Sequence, residues 1–324
     1  MKTYEEYLSQ VNEAIAAIDY PKEPAMLYEP IRYSMSMGGK RVRPVLMLMT
    51  CEALGGSAHH ALKPALGIEM FHNFTLLHDD VMDNAEMRRG NPTVHRRWGV
   101  NTAILSGDAM YTLATDLVAQ APQRCLSKVV NLFARTALEV CEGQQYDVDY
   151  ERRNMVTEEE YIKMIRLKTS VLLGCACKMG ALIAGADDKT ADAVYRAGVD
   201  LGIAFQLEDD LLDVWGDPKT FGKEIGGDIM NNKKTMLLVQ AINRANEDDG
   251  YELRRWLTDN YAMRDSKVPA VTAIYERLGV RQYVEEAIDR YNKLAMEEFA
   301  KVEMSEEGKT AFAQLAQILS SRKK

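Results

Sequence analysis

The chain has 324 residues, of which 47% are hydrophobic and 27% charged, proportions that are typical of a globular protein with a sizeable core. Its formal net charge of −8 disfavours nucleic acid as a partner, because most of the surface would repel a phosphate backbone. The acidic N-terminus and the lack of a run of about 18 apolar residues predict neither a signal peptide nor a transmembrane segment. Five cysteines without a C-x-x-C pair predict reduced thiols in a cytoplasmic protein.

A helical period dominates the chain. Apolar residues recur at three- and four-residue steps in residues 45–54, 130–148, 159–185 and 190–215, which predicts helices with buried faces. Alternating runs of Val, Ile and Thr are nearly absent, so no sheet is expected. The sequence therefore predicts an all-α protein.

The breaks between these helices carry glycine and proline, at residues 21–24, 55–56, 88–92, 216–218 and 226–228. Thr157, followed three residues later by Glu160, predicts a capping box at a helix start. No long linker, low-complexity tract or repeat of fixed period interrupts the pattern. We predict one domain over residues 1–324, a bundle of roughly ten or more helices around a central cavity.

Two acidic segments share one pattern, Asp-Asp-x-x-Asp. They read HDDVMD at 78–83 and EDDLLD at 208–213. Each closes a predicted helix, within 64–83 and 190–215, that is apolar over much of its circumference and so belongs in the middle of a bundle. This places both sets of carboxylates at the mouth of the cavity.

The helical spacing of these aspartates suits a metal. Asp79 and Asp83 are four residues apart and share a helix face at about 6 Å, as do Asp209 and Asp213. Such oxygen ligands suit Mg²⁺, which binds one or two carboxylates together with substrate phosphates. The sequence thus predicts two or three Mg²⁺ ions holding a diphosphate.

Two other interpretations of the acidic residues stay open. Acidic residues near helix ends are often solvated surface groups. Glu69 and His72 form a Glu-x-x-His pair, as in di-iron bundles, but no other histidine has a glutamate three residues before it.

Basic residues stand beside the breaks. Each alone fits a solvated surface charge, but their recurrence near the acidic segments fits a metal-bound diphosphate and a second, metal-free anion. They are Lys40, Arg41, Arg43, Arg88, Arg89, Lys168, Lys223 and Lys233.

The combined motifs resemble the trans-isoprenyl diphosphate synthases, also called polyprenyl synthetases. The matching segments are GGKRVRP, LLHDDVMDNAEMRRG, KTS and FQLEDDLLDVWGDPKTFGK, which lie between about residue 28 and residue 240. The family's principal charged positions are all filled, which argues against an inactive regulatory subunit.

This resemblance implies a prenyltransferase that joins isopentenyl diphosphate to an allylic diphosphate (dimethylallyl, geranyl or farnesyl) after Mg²⁺-dependent ionisation of the allylic C–O bond. It also implies a homodimer. Thr169 and Gln206 would line the reacting carbons, and Asp228 would lie in a closing loop. The implied metal ligands are Asp79, Asp83 and Asp209, supported by Asp80 and Asp213. The allylic diphosphate would bind Arg88, Lys168 and Lys223, assisted by Lys233, and isopentenyl diphosphate would bind Lys40, Arg43, His72 and Arg89.

Product length is expected to depend on Phe74, five residues before Asp79 and so about 7.5 Å along the helix axis. The resemblance implies that a bulky aromatic at this position forms a floor, and the small Thr75 next to it favours C20, geranylgeranyl diphosphate, ahead of C15. An alternative interpretation is that Phe74 is a core residue without a role in product length. The alternative functions are a long-chain polyprenyl diphosphate synthase, a class I terpene cyclase and a non-enzymatic helical scaffold.

Overall fold

The computed structural model describes residues 1–217, 225–259 and 261–320, with side chains up to residue 314. Within this part of the chain the fold is all-α, as predicted. The first helices are α1 (Tyr4–Ala16), α2 (Ala25–Ser36), α3 (Val42–Ala53), α4 (Ala58–Met82), α5 (Val94–Trp98), α6 (Val100–Val118) and α7 (Leu126–Glu151). The next are α8 (Glu158–Ile165), a π-helical segment (Arg166–Ser170), α9 (Val171–Ala184) and α10 (Asp188–Trp215). The last are α11 (Gly227–Met230), α12 (Met236–Arg244), α13 (Glu247–Thr258), α14 (Arg264–Arg277), α15 (Val280–Ala300) and α16 (Glu306–Ser320).

The chain divides into two compact units whose segments alternate along the sequence. Unit 1 comprises Met1–Thr136, Leu172–Arg196 and Glu298–Leu315. Unit 2 comprises Ala137–Val171, Ala197–Glu297 and Ala316–Lys324. The first aspartate-rich segment therefore belongs to unit 1 and the second to unit 2. The single domain over 1–324 stays a prediction.

Unit 1 is built around α4. This helix is buried over most of its circumference, as its apolar sequence predicted. It packs closely on α6 at Gly67, where an added Cβ would lie 2.8 Å from the carbonyl oxygen of Ala114. The packing fixes the position of the C-terminal end of α4, where the first aspartates lie.

Unit 2 contains α8, the π-helical segment and most of α10. The predicted capping box is confirmed: the Thr157 hydroxyl accepts from the Glu160 amide, and the Glu160 carboxylate accepts from the Thr157 amide. A second such box, Thr3 with Glu6, begins α1. Each box satisfies two helix-end amide groups that would otherwise lack a partner.

A minimal antiparallel hairpin provides the only β-strands within the described residues. Met87–Arg88 pairs with Asn91–Pro92, in the break where the sequence predicted no strand. The two residues between the strands, Arg89 and Gly90, have φ of 52° and 74°. Positive φ at both positions is typical of a type I′ turn, which matches the twist of the flanking strands.

One helical run, Glu158–Ala184, is long and apolar enough to cross a membrane by length and composition alone. Most of its apolar stretch is buried inside the structure, as in the core helix of many proteins. The apolar part of this run, residues 167–184, contains two charged residues, Lys168 and Lys178.

A buried ion pair ties the start of α3 to the middle of α4. Arg41 Nη1 lies 2.6 Å from Glu69 Oε1, and both side chains are 2% exposed. Arg41 Nη2 also donates to the carbonyl oxygen of Met35 at 2.7 Å, and Asn73 Nδ2 donates to Glu69 Oε1 at 3.1 Å. Glu69 is thus held by Arg41 and Asn73, and does not form the metal-binding pair with His72 that its spacing allowed.

Removing one partner of this pair should destabilise the protein. Glu69→Ala leaves the Arg41 charge buried without its carboxylate, so we expect the free energy of unfolding to fall by about 3–5 kcal/mol. The measurement is urea denaturation at neutral pH. Glu297→Ala is the matched control, because its pair with Lys293 is exposed on α15 and should contribute less than about 1 kcal/mol. Equal losses in the two variants would contradict a special role for the buried pair.

Candidate active site

The C-terminal end of α4 presents the first three predicted metal ligands in three environments. Asp79 is half-buried, and Asp83 is exposed at the end of the helix. Asp80 is only 5% exposed, because it points about 100° away from Asp79 around the helix. The outer two aspartates are therefore the more accessible ones.

Asp80 binds Arg88 of the hairpin. Arg88 Nε and Nη2 both donate to Asp80 Oδ1, at 2.9 and 2.6 Å. Burial raises the pKa of Asp80, and the Arg88 charge opposes that shift. Two side chains that the sequence assigned to metal and diphosphate are thus joined to each other, and this pair holds the Arg88 guanidinium near the first aspartates.

A basic cluster surrounds His72 on α4. Burial lowers the pKa of His72 well below its ordinary value, and the charges of Arg43, Arg89, Arg88 and Arg41 lower it further. The imidazole is therefore neutral at neutral pH. A neutral donor among several arginines suits the binding of a multiply charged anion.

The hairpin turn and the glycines before α3 bring Arg89 to this cluster. Arg89 Nη1 donates to the carbonyl oxygen of Gly38. A Cβ at Gly39 would lie 2.9 Å from the Arg89 guanidinium carbon, so a side chain there would displace the arginine. Lys40 is exposed, and its carbonyl oxygen accepts from the Tyr4 hydroxyl.

Phe74 lies in an aromatic group beneath Asp79. Its ring centroid is 5.5 Å from that of Phe71, 5.6 Å from that of Tyr111 and 4.7 Å from that of His78. Phe71 also contacts Phe133 at 5.3 Å. These rings from α4, α6 and α7 form an aromatic wall, and its role in limiting product length stays a prediction.

The second aspartate-rich segment, in unit 2, has the same order of exposure at its first two positions. Asp209 is half-buried, and Asp210 is 3% exposed. Asp213 is buried, and its Oδ2 accepts from the Asp228 amide at 3.0 Å. Lys233 Nζ lies 3.8 Å from Asp228 Oδ1. Asp213 therefore orders the start of α11, which carries Asp228.

Asp210 organises a network of hydrogen bonds that the sequence did not reveal. Its Oδ2 accepts from the Tyr161 hydroxyl and from the Met236 amide, and its Oδ1 accepts from Gln206 Nε2 at 3.3 Å. Burial raises the pKa of Asp210 to about 7, the charge of Asp228 acts in the same direction, and the Tyr161 hydrogen bond opposes both. The network orients the Gln206 amide.

The π-helical segment carries Lys168 and Thr169. Lys168 Nζ lies 2.6 Å from Asp147 Oδ2 on α7, and Thr169 Oγ1 donates to Gln206 Oε1 at 3.1 Å. Burial pushes the pKa of Asp147 upward, but the charges of Lys168 and Lys233 outweigh it and lower that pKa overall. Thr169 and Gln206, both predicted to line the reacting carbons, are therefore brought together.

One predicted site residue is not described by the structure, and some hydrogen-bond partners of the site residues were not predicted from the sequence. Lys223 lies outside the described residues. Asp147 and Tyr161 belong to no motif, so only their tertiary contacts identify them. Asp210 belongs to the second acidic segment, but only the fold shows that it is buried while Asp209 is half-buried.

The described side chains include no group of three or more His, Cys, Asp or Glu residues close enough to hold a metal ion by themselves. Mg²⁺ usually takes only one or two carboxylates and completes its shell with water and substrate phosphates. The carboxylate oxygens of Asp79 and Asp83 in unit 1, and separately that of Asp209 in unit 2, are donors of the kind that such an ion takes.

A model of the polyprenyl synthetase family matches residues 24–278. The chain belongs to the polyprenyl synthetase family. It is 40% identical over 280 residues to the geranylgeranyl pyrophosphate synthase of Geoglobus acetivorans, covering 86% of this chain and 88% of that protein. These findings confirm the family resemblance and identify the chain as a trans-prenyltransferase.

Solved structures of polyprenyl synthetases share the whole fold. One geranylgeranyl pyrophosphate synthase superposes with a TM-score of 0.95 at 43% identity, covering 100% of both chains. The geranylgeranyl pyrophosphate synthase of Corynebacterium glutamicum, solved with isoprenyl diphosphate and magnesium, has a TM-score of 0.85 at 28% identity and covers 98% of this chain and 97% of its own. The polyprenyl synthetase described here thus has the all-α isoprenoid synthase fold.

Proposed function

We propose that this polyprenyl synthetase condenses isopentenyl diphosphate with allylic diphosphates and releases geranylgeranyl diphosphate. The observation that carries the proposal is the shared construction of the two aspartate-rich helix ends. In each, the second aspartate is buried in bonds to protein groups, as Asp80 is to Arg88 and Asp210 is to Tyr161. The first aspartate, Asp79 or Asp209, is more exposed and suited to an external cation.

Each set of residues has a role in the proposed reaction. Asp79, Asp83 and Asp209 hold divalent metal, with Asp80 and Asp213 fixing the surrounding backbone and side chains. Bound Mg²⁺ supplies charge neutralisation for the departing diphosphate. The magnesium named in the C. glutamicum structure supports this cofactor. We propose two or three ions per site.

Two separate sets of basic side chains bind the two substrates. Arg88, Lys168 and Lys223, assisted by Lys233, bind the allylic diphosphate and stabilise the charge that grows on it as the C–O bond breaks. Lys40, Arg43, His72 and Arg89 bind isopentenyl diphosphate, whose terminal carbon attacks the allylic cation. The oxygens of Thr169 and Gln206 stabilise that cation, and the departing diphosphate takes the proton lost from isopentenyl diphosphate.

This division predicts opposite effects on the two Michaelis constants. Lys40→Ala should raise the KM for isopentenyl diphosphate by about tenfold or more, because a charged hydrogen bond contributes about 1.5–3 kcal/mol, and should affect the allylic KM less. Lys168→Ala and Lys223→Ala should do the reverse. Steady-state kinetics with each substrate varied in turn provides the measurement. The control is Lys63→Ala, an exposed lysine of α4, which should change neither constant. Equal effects on both constants would contradict the division.

The proposed C20 product rests on the wall beneath Asp79 and on the names of the similar proteins. Phe74 contacts Phe71 and Tyr111 one to two helical turns before the first aspartate, where a bulky group would limit the length of the prenyl tail. The G. acetivorans relative is named a geranylgeranyl pyrophosphate synthase.

A panel of allylic starters tests this product. Dimethylallyl, geranyl and farnesyl diphosphate should all yield the same C20 end product, because a floor limits the final length whatever the starting length. Products of C30 or longer would favour a long-chain synthase. Cyclised hydrocarbon without consumption of isopentenyl diphosphate would favour a terpene cyclase.

We also propose a homodimer in the cytoplasm. Within the described residues, α6 exposes several large apolar side chains, among them Val100, Ile104, Leu105 and Tyr111, which a second copy would cover. All five cysteines are free thiols, which agrees with a reducing compartment. Light scattering in solution should give twice the mass of one chain.

A further inference from the structure

The π-helical segment Arg166–Ser170 is in close contact with two helices, the parts of α7 and α10 that belong to unit 2. Its wider turn is closed by the Val171 amide, which donates to the carbonyl oxygen of Arg166 five residues earlier. The Ser170 hydroxyl also donates to the carbonyl oxygen of Ile165 at 3.3 Å. Such an extra residue within a helical run shifts the direction of the side chains that follow, and π-turns are frequent at functional sites.

On one side, α7 reaches the backbone of this segment at Gly143. A Cβ there would lie 2.2 Å from the Lys168 amide nitrogen and 2.6 Å from the Lys168 Cα. Both atoms belong to the backbone, so no side-chain rotation could make room. One turn further along α7, Asp147 accepts from Lys168 Nζ at 2.6 Å.

On the other side, α10 makes the same kind of approach at Gly202. A Cβ there would lie 2.6 Å from the Ser170 Cα and 2.7 Å from the Ser170 Cβ. One turn further along α10, Gln206 accepts from Thr169 Oγ1 at 3.1 Å. Each helix thus offers a glycine to the backbone and, four residues later, a polar group to a side chain.

We propose that Gly143 with Asp147, and Gly202 with Gln206, are positioning pairs that hold the π-helical turn so that Lys168 and Thr169 meet the allylic substrate. The glycines set the distance of the two helices from the turn. Asp147 and Gln206 then set the directions of the Lys168 ammonium and the Thr169 hydroxyl. This inference rests on the proposed roles of Lys168 and Thr169.

The first test measures kcat in Gly143→Ala and Gly202→Ala. An added methyl must displace the π-helical backbone, and a misplacement of about 1 Å can cost about a hundredfold in rate. We therefore expect kcat, per folded protein, to fall about a hundredfold in each variant. Gly180→Ala is the matched control: its Cβ would lie 2.4 Å from the carbonyl oxygen of Met47, in unit 1, so it strains a helix without touching Lys168. It should lower Tm and leave kcat within about threefold. Normal kcat in both folded glycine variants would overturn the proposal.

A double-mutant cycle separates positioning from a general loss of stability. If Gly143 acts through Lys168, adding Gly143→Ala to Lys168→Ala should change kcat by no more than about threefold, because the misplaced group is already gone. The same should hold for Gly202→Ala added to Thr169→Ala. Independent, multiplying losses would overturn the proposal.

Asp147→Asn provides a second double-mutant cycle with Lys168→Ala if a glycine variant fails to fold. This change keeps the volume of the side chain and removes the charge that faces Lys168. It should lower kcat in the otherwise unchanged protein and have little effect in the Lys168→Ala background; multiplying losses would overturn the proposal here too. Lys168→Ala and Thr169→Ala alone test the proposed function. If both of these single variants have normal kcat, the proposed roles of Lys168 and Thr169 are wrong. If both lose activity while the glycine and Asp147 variants keep normal kcat, only the positioning pairs are wrong.

Discussion

Asp79→Asn and Asp209→Asn are each expected to lower kcat at least about a thousandfold while leaving the helical circular dichroism signal and Tm near those of the unchanged protein. Loss of a metal ligand removes several kcal/mol of charge stabilisation from the transition state, and about 4 kcal/mol corresponds to a thousandfold. Both side chains are half-buried near the ends of long helices, and the change to asparagine opens no void.

Asp116→Asn provides the matched control for these variants. Asp116 lies exposed on α6, where it accepts a hydrogen bond from Gln120 four residues later, at 3.2 Å, so its loss should not affect turnover. A rate within about tenfold of the unchanged protein, about 1.4 kcal/mol in the barrier, would place the metal site elsewhere. Loss of the fold would instead show that the two aspartates serve the structure.

Phe74→Ala should change the product from C20 to C25 or longer. The substitution removes the ring that contacts Phe71 and Tyr111, and so opens space along α4 beneath Asp79. An isoprene unit adds five carbons, so even partial opening of the wall should show as a discrete new product. The measurement is separation of the dephosphorylated alcohols by chain length, with farnesyl diphosphate as the starter.

Phe299→Ala controls for the effect of a core void as such. Phe299 stacks on Phe312 with ring centroids 4.2 Å apart, and neither residue belongs to the aromatic group around Phe74. Its loss should cost about 3–5 kcal/mol of stability and leave product length unchanged. A normal C20 product from a fully active Phe74→Ala would show that Phe74 is a core residue and that other residues limit growth.

The sequence predicted those parts of the site that depend on local signals. The helical period located α4 and α10, and a cluster of like charges at the end of each apolar helix was visible without a structure. The different environments of neighbouring aspartates agree with helix geometry, because residues one step apart on a helix point about 100° apart. Asp80 and Asp210 are buried for this reason, while Asp79 and Asp209 are not.

Features that depend on tertiary packing could not be predicted in the same way. The sequence from 159 to 185 reads as one regular helix, and nothing in its period marks the five-residue hydrogen-bond step at Arg166. Asp147 and Lys168 meet only because α7 packs against the π-helical segment. Glu69 is a further example: its spacing from His72 left a di-iron pair open as an alternative, and only the fold shows that its partner is Arg41.

The most direct test of the proposed prenyltransferase function is the incorporation of radiolabelled isopentenyl diphosphate into an extractable prenyl product. With farnesyl diphosphate as the starter, we predict that labelled C20 product forms only when the allylic diphosphate and Mg²⁺ are both present, that chelation of the metal abolishes it, and that Asp209→Asn forms it at least about a thousandfold more slowly. Release of diphosphate from farnesyl diphosphate without uptake of the label, or incorporation that persists after the metal is removed, would contradict it.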